Sequence, residues 1–428
     1  MILVVGGLLA VACGGDGSDE AASPTPTVIA TAVPTATPMP TATAAPTPTP
    51  MPVAVSGVVR SSVDGAPLAD ATVRAGDVEV TTGLDGGFTM ELAAGTDAVE
   101  VTRPVWRTAT AAVPAGGGVV EVELDPVVVR GLRVSQQVAS DDDAFAELLD
   151  LAEGTTVNAL VFDTKDEADL VLYETDVEFA HEIDAVAPVY DPAARIAQAR
   201  KRGLYTVTRI VTFEDPVWSR AQPEAGLAGH WVDAADPDNW EYPLALAVEA
   251  CAIGFDEVQF DYVRFPSGET AARAADLVPP TEQERTAAIA GFLGTARDAL
   301  HPMGCGVSAA IFGIVMSSAT DERLGQTPET ISAAVDAVSP MVYPSHYGPG
   351  WLGFADPNDH PGPVVAHALD TGGPRLAPTS LMRPWIQGFY YNGAQVLAQI
   401  AEAEARGAGW IIWNFFGEYR RDWLPSAS

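Results

Sequence analysis

Two aspartates, each at the end of a predicted strand, are the residues best suited to chemistry in this chain. Asp261 closes the run 254–261 and Asp163 closes the run 157–163. Two neighbouring carboxylates can act as acid and base, or as nucleophile and acid, in glycoside cleavage. A separation of about 5–5.5 Å predicts retention and about 6.5–9.5 Å inversion. Asp163 has an equally weighted structural alternative, an ion pair with Arg209 or Lys165.

The strand that carries Asp261 begins after a helix-stopping glycine, Gly254, and ends before Pro266, which cannot donate to a sheet. With a period of two, Glu257, Gln259 and Asp261 share one face and apolar residues share the other. An apolar outer face and a polar inner face that ends in a carboxylate are typical of a catalytic strand in an α/β barrel. The alternative is an edge strand whose polar face meets water.

Strands and helices alternate from residue 130 to 428, which predicts parallel α/β structure. The predicted strands are 132–135, 157–163, 205–211, 257–261, 306–312, 337–343, 376–381 and 409–413. Predicted helices include 193–201, 240–252, 282–300 and 395–406. Eight such units predict a (β/α)8 TIM barrel. A doubly wound open sheet is second choice, because no glycine-rich phosphate loop follows the first strand.

The longest inserts, 164–188, 213–236 and 344–361, follow strand C-terminal ends and are expected to wall a cleft there. Aromatic residues crowd this predicted rim, and aromatic faces stack against sugar rings, so the enrichment favours a saccharide groove. The predicted substrate contacts are Gln259, Arg264, Arg209, Tyr343, His346, Trp385, Trp413 and Asn414.

The first 52 residues predict export and tethering. Residues 1–13 are apolar and small up to Cys13, similar to the lipobox of bacterial lipoproteins, which implies a lipidated Cys13 and a lipid anchor. Residues 14–52 become rich in Pro, Thr and Ala and predict a disordered, extended linker. We therefore expect an extracellular body held at the outer face of the cell membrane.

Residues 53–128 contain short alternating strands separated by Asp-Gly turns, which indicate a small antiparallel β-sandwich. The order of its glycine-containing motifs, from Gly57 through Gly65 to Thr82, resembles the carboxypeptidase-regulatory-like domain. That resemblance implies a spacer or adhesion module without chemistry.

Charge and cysteine content narrow the possible partners. Lys and Arg number 23 against 57 Asp and Glu, giving a formal net charge of −34, which disfavours nucleic acid and polyanions and favours a neutral or cationic substrate. Cys251 and Cys305 are expected to be buried reduced thiols, with a bridge between them as the alternative. The sequence contains no cluster of Cys and His residues that would predict a metal site, and no cofactor is expected.

Long motifs at 254–267, 339–350, 383–387 and 409–414 resemble the bacterial putative glycosyl hydrolase domain family over residues 130–419. The resemblance implies a barrel distantly similar to glycoside hydrolases, with Asp261 as the leading catalytic residue. This chain departs from the expected pattern at Ala310, where we expect an acidic residue, and the predicted seventh strand does not end in glutamate. The second carboxylate is then Asp163, Asp166, Glu214 or Glu418.

Two functions follow. The first is a surface-anchored glycoside hydrolase that cleaves extracellular or envelope polysaccharide with Asp261 and Asp163. The second is a saccharide-binding or envelope-scaffolding lipoprotein without catalysis, favoured by Ala310. A peptidase or amidase has little support, because neither a nucleophile elbow nor a zinc motif occurs.

Overall fold

Eight parallel strand positions form a closed ring in the computed structural model, which describes residues 51–427. After the seven strands of the N-terminal region given below, the strands of the ring are numbered in chain order from β8. They are β8 (Arg130–Val134), β9 (Ala159–Lys165), β10 (Tyr205–Val211), β11 (Glu257–Asp261), β12 (Gly306–Phe312), β13 (Ala337–Val342), β14 (Leu381–Met382) with β15 (Trp385–Gln387), and β16 (Trp410–Trp413).

The ring closes because β12 pairs with β13 and β16 pairs with β8, all in parallel register. Arg209 on β10 lies opposite Asp163 on β9 and opposite Gln259 on β11. The predicted TIM barrel is therefore confirmed, and the strand C-terminal ends gather at one mouth.

Helices connect the strands and cover the outside of the ring. They are α1 (Gln136–Ser140), α2 (Asp142–Ala152), α3 (Glu178–Glu182), α4 (Pro192–Lys201), α5 (Pro216–Ala221), α6 (Glu241–Ile253), α7 (Gly268–Arg273), α8 (Glu282–Leu300), α9 (Pro328–Ala334), α10 (Pro361–Gly372) and α11 (Gly393–Glu404). The capping box of Thr281 and Glu284 fixes the start of α8 at the predicted residue.

The seventh strand differs from the prediction. It is not 376–381 but β14 and β15, which flank Arg383 and Pro384. Pro384 has no N–H to donate, so the strand is divided into two short pieces at this residue. Its carbonyl still accepts a hydrogen bond from the N–H of Ile411, which keeps the chain in the ring.

Two small sheets precede the barrel. Their strands are β1 (Val53–Ser61), β2 (Thr72–Ala75), β3 (Val78–Thr81), β4 (Gly87–Leu92), β5 (Ala98–Thr102), β6 (Ala109–Ala112) and β7 (Gly118–Leu124). The sheets β4-β1-β7 and β3-β2-β5-β6 share one buried apolar core. One pairing is not antiparallel as predicted, because β1 and β7 run parallel.

A disulfide joins Cys251 to Cys305, with 6.0 Å between their Cα atoms. The expectation of two reduced thiols is therefore wrong. The last turn of α6 and the residue before β12 both lie beside the start of β11, which brings these two cysteines together across 54 residues of sequence.

Residues 1–13 and all but the last two residues of 14–52 lie outside the described part of the chain, so the predictions for Cys13 and the linker are not addressed by it. Within residues 51–427, no helix has the length and apolar character needed to cross a membrane.

Candidate active site

A cavity of about 570 Å³ opens at the C-terminal mouth of the barrel. Two carboxylates, Glu167 and Asp261, and two arginines, Arg209 and Arg264, line it. The rest of the wall is largely aromatic, from Tyr262, Phe312, Tyr343, His346, Tyr347, Trp351 and Trp413. Charged groups on an aromatic wall are the arrangement expected of a saccharide-binding pocket.

Asp261 lies at the end of β11, with its carboxylate fixed by three hydrogen bonds. Arg209 donates from Nε at 2.9 Å and from Nη2 at 2.7 Å to Oδ2. The N–H of Tyr262 donates to Oδ1 at 2.7 Å. Tyr262 has a φ of 52°, a left-handed conformation that is costly for tyrosine and common at functional sites. This turn ends the strand and directs Asp261 into the cavity.

Asp163 does not line the cavity. Its Oδ2 accepts from Arg133 Nη2 at 2.5 Å and its Oδ1 from Arg209 Nη1 at 3.0 Å, and the side chain is buried. Burial raises the pKa of the Asp163 carboxyl, against the opposing charges of the two arginines. Asp163 thus forms the ion pair with Arg209 that was predicted as its structural role. Lys165 pairs instead with Asp215, at 2.9 Å.

Glu167 is the cavity carboxylate that sequence reasoning missed. Its Oε1 lies 2.9 Å from Arg209 Nη2, the same nitrogen that is 2.7 Å from Asp261 Oδ2. These two oxygens are therefore separated by no more than about 5.6 Å, the sum of the two distances. Burial raises the pKa of Glu167, but the positive charges of Arg209 and Arg133 together lower it by more. The pKa of Glu167 therefore lies below its usual range. Its position four residues after Asp163, beyond a strand end, was the available signal.

Glu214 is a third acidic residue at this site, beside the cavity but not part of its lining. Its Oε2 lies 3.8 Å from Nη2 of the cavity-lining Arg264. The Arg264 guanidinium is held between the rings of Trp231, at 4.5 Å, and Phe312, at 4.3 Å. Burial, together with the nearby charge of Asp261, raises the pKa of Glu214 despite the opposing charges of Arg264 and His230.

Five of the predicted substrate contacts line the cavity: Arg209, Arg264, Tyr343, His346 and Trp413. The ring of Trp413 also lies against two guanidinium groups, 4.2 Å from that of Arg133 and 4.8 Å from that of Arg209. Arg133, on the inner face of β8, is another residue that the sequence analysis did not single out.

The other three predicted contacts lie away from the cavity wall. Gln259 is buried inside the ring, where it donates to Ser339 Oγ at 3.0 Å and accepts from Trp385 Nε1 at 2.8 Å. Trp385 is likewise buried. Asn414 accepts the N–H of Phe416 at 3.0 Å and thus stabilises the turn after β16. These residues support the site from below and beside it.

The remaining acidic candidates are also absent from the wall. Asp166 accepts the N–H of Ala168 in the turn after β9, and Glu418 is exposed. Ala310 on β12 is buried in one apolar cluster with Tyr343 and Trp385, so it leaves no carboxylate at that inward position. The corrected seventh strand ends in Gln387. Within residues 51–427, no group of three or more His, Cys, Asp or Glu side chains is arranged to hold a metal ion.

Residues 131–419 match the family described as "Putative glycosyl hydrolase domain". The chain belongs to this family. No curated protein matches it. Among solved structures, a hypothetical protein from Ruminiclostridium thermocellum ATCC 27405 is 30% identical over 42% of this chain and 96% of that chain, with a TM-score of 0.36.

Two glycoside hydrolase domains are also similar to this glycosyl hydrolase family member. The PgaB (BpsB) domain from Bordetella bronchiseptica is 14% identical over 70% of this chain and 100% of that chain, with a TM-score of 0.52. The PelA domain from Pseudomonas aeruginosa is 13% identical over 68% of this chain and 96% of that chain, with a TM-score of 0.40. The Bordetella bronchiseptica structure supports the barrel fold.

Proposed function

We propose that this protein is a glycoside hydrolase that cleaves extracellular or cell-envelope polysaccharide with two carboxyl groups. One observation carries the proposal: Asp261, paired with Arg209, lies in an aromatic-walled cavity at the catalytic mouth of a TIM barrel. Membership of the glycosyl hydrolase family supports the same conclusion.

Asp261 serves as the nucleophile. Its Oδ1 accepts one hydrogen bond, from Tyr262, and a carboxylate oxygen has a second lone pair with which to attack an anomeric carbon. Arg209 orients the carboxylate through Oδ2. The bond to the leaving sugar breaks as the glycosyl-enzyme bond forms, and water then hydrolyses that intermediate.

Glu214, whose Oε2 lies 3.8 Å from Nη2 of the cavity-lining Arg264, serves as the proton donor to the leaving oxygen and later takes a proton from the attacking water. A raised pKa suits a general acid, because the group must carry its proton before the bond breaks. Glu167 lies close enough to Asp261 to be the alternative donor, but its lowered pKa favours the charged form. We therefore assign Glu167 to positioning, through its ion pair with Arg209.

The test is Asp261→Asn, which keeps the shape of the side chain and removes its charge. Reducing-end release from a panel of purified polysaccharides should fall by at least about a thousandfold. Leu84→Ala, at an exposed position of the N-terminal sheets, is the matched control and should retain activity. Full activity in Asp261→Asn would remove the residue from the mechanism.

A second function is favoured by Ala310, which leaves no acid on the inner face of β12. On this alternative the protein binds saccharide without cleaving it. Retention on a glycan array together with no reducing-end release would favour binding alone, and product release would establish the hydrolase.

For location, we propose export and attachment to the outer face of the membrane through a lipidated Cys13. The Cys251–Cys305 disulfide supports an oxidising compartment, because cytosolic thiols are kept reduced. The two N-terminal sheets then act as a carboxypeptidase-regulatory-like spacer between anchor and barrel. Metabolic labelling with a radioactive fatty acid tests the anchor, and Cys13→Ser should abolish the label.

A further inference from the structure

Three large aromatic side chains project into solvent from the loops that follow β15 and β16. Tyr390 is 92% exposed, Phe415 58% and Phe416 59%. The two strands are neighbours, and the N–H of Gly388 donates to the carbonyl of Trp413 at 2.9 Å, so the loops start side by side. Apolar surface concentrated in one place on a protein marks a binding site more often than isolated exposed residues do.

Tyr390 has a strained backbone conformation. Its φ of 62° is in the left-handed region, which is costly for a tyrosine and inexpensive for a glycine. Strain of this kind persists where the surrounding structure imposes it, and it concentrates at ligand sites. A tyrosine that is both strained and almost fully exposed contributes little to the folded core, which points to a role in binding.

Tyr390 is continuous with the cavity through a row of rings. Its ring centroid is 5.3 Å from that of Phe389, which is 5.5 Å from that of Tyr343. Tyr343 forms part of the cavity wall. An apolar track therefore leads from the proposed catalytic pocket to the exposed rim.

The phenylalanine pair is fixed to the same site by its backbone. Arg133 Nη1 donates to the carbonyl of Phe415 at 2.9 Å, and Ser135 Oγ donates to that of Phe416 at 2.9 Å. Arg133 also holds Asp163 at 2.5 Å. The backbone that carries these exposed rings is thus held in a fixed relation to the ion-pair network beneath the cavity, which lowers the ordering cost of binding.

We propose that Tyr390, Phe415 and Phe416 form an outer binding surface for a neutral polysaccharide, so that the protein acts on a polymer chain that extends beyond the cavity. This surface is hereafter called the aromatic platform, and the inference rests on the proposed function. Pyranose rings with equatorial substituents present an apolar face to aromatic rings. A net charge of −34 and the carboxylates of Asp261 and Glu167 favour an uncharged polymer over a polyanion.

Affinity electrophoresis of the full chain tests the platform without requiring cleavage. Native gels contain barley β-glucan, konjac glucomannan or, as the anionic comparison, polygalacturonate. Asp261→Asn protein should be retarded by at least one of the neutral polymers. Adding Tyr390→Ala and Phe416→Ala should raise the dissociation constant obtained from that retardation about tenfold, because two of the stacking surfaces are lost. Adding Leu84→Ala, which alters another highly exposed apolar side chain, should change nothing.

Tyr390→Gly separates a binding role from a structural one. Because glycine relieves the left-handed strain, its melting temperature should be equal to or above that of the parent, while polymer retardation falls. A lowered melting temperature with unchanged retardation would overturn the proposal. So would retardation by polygalacturonate alone, by neither neutral polymer, or equally in the parent and the platform variants.

The same gels distinguish failure of the platform from failure of the proposed function. Platform-dependent retardation without reducing-end release in the wild-type protein would support the platform and refute the hydrolase. Cleavage of short aryl glycosides by a protein that no polymer retards would support the hydrolase and refute the platform.

Discussion

The guanidinium of Arg209 donates twice to one oxygen of Asp261, from Nε at 2.9 Å and from Nη2 at 2.7 Å. Its third nitrogen, Nη1, donates to the buried Asp163 at 3.0 Å. One arginine therefore contacts the proposed nucleophile and the buried Asp163 at the same time. Such a buried fork matches carboxylate geometry in a way that lysine cannot reproduce.

Arg209→Met should lower the free energy of unfolding by about 3–5 kcal/mol, because it removes the shared partner of two buried carboxylates. Urea denaturation measures the loss. Arg209→Lys, which keeps the charge without the fork, should lie between wild type and Arg209→Met. Adding Asp163→Asn to Arg209→Met should restore part of the loss, because one uncompensated carboxylate disappears. Additive effects of the two substitutions would contradict a direct coupling.

How far the sequence predicted the molecule depends on the range of the interactions involved. Strands β10, β11 and β12 occur at the predicted residues because their apolar alternation and stop signals are local. The seventh strand was misplaced because its position is set by hydrogen bonds to β13 and β16 around Pro384, which no local pattern reports.

The site was predictable to the same extent. Asp261 was found because it ends a strand in which polar and apolar residues alternate clearly. Glu167 was missed because it lies in a turn, where Lys165 pairs with Val171, and its approach to Arg209 depends on how that turn folds back. Asp163 was assigned to the pocket because it ends the predicted strand 157–163, but its place in the sequence does not reveal that Arg133 and Arg209 enclose its carboxylate.

Reduction of the Cys251–Cys305 disulfide should destabilise the barrel. The bridge spans 54 residues, and closing a loop of that size stabilises a protein by about 4 kcal/mol through the unfolded state. Urea unfolding with and without dithiothreitol measures the difference, and Cys251→Ser with Cys305→Ser should reproduce it. Thiol titration of the denatured, unreduced chain should not detect these two residues. Their detection there would contradict the bridge.

Stability should fall with rising pH because of Asp169. Burial, with a smaller contribution from the charge of Asp215, raises the pKa of this carboxyl from its usual 3.8 to about 8, despite the opposing charge of Lys165. Between these values the folded state retains a proton that the unfolded state has lost. The stability that Asp169 contributes is therefore complete below pH 3.8 and is lost as pH rises through about 8. Within this window the free energy of unfolding should fall by up to about 1.4 kcal/mol per pH unit.

Asp169→Asn, which keeps the shape and cannot ionise, should flatten that dependence. The measurement is urea unfolding of wild type and variant at several pH values within the window. Glu153→Gln, which alters an exposed carboxylate paired with Arg202, should leave the slope as in wild type. An unaltered slope in Asp169→Asn would show that another group is responsible.

Glu214 and Glu167 should respond differently to removal of their charge. If Glu214 is the proton donor, Glu214→Gln should abolish cleavage of substrates with poor leaving groups, while aryl glycosides with activated leaving groups still react at the first step. The fall of activity towards high pH, where Glu214 loses its proton, should vanish in that variant, since its pKa is the raised one. Glu167→Gln should lower the rate by loosening Arg209 but keep that limb of the pH profile and the ordinary dependence on leaving group.

Azide should rescue Glu214→Ala by attacking the glycosyl-enzyme and should not rescue Glu167→Ala. The reverse pattern would assign the proton donor to Glu167, whose oxygen lies on the same Arg209 nitrogen as that of Asp261.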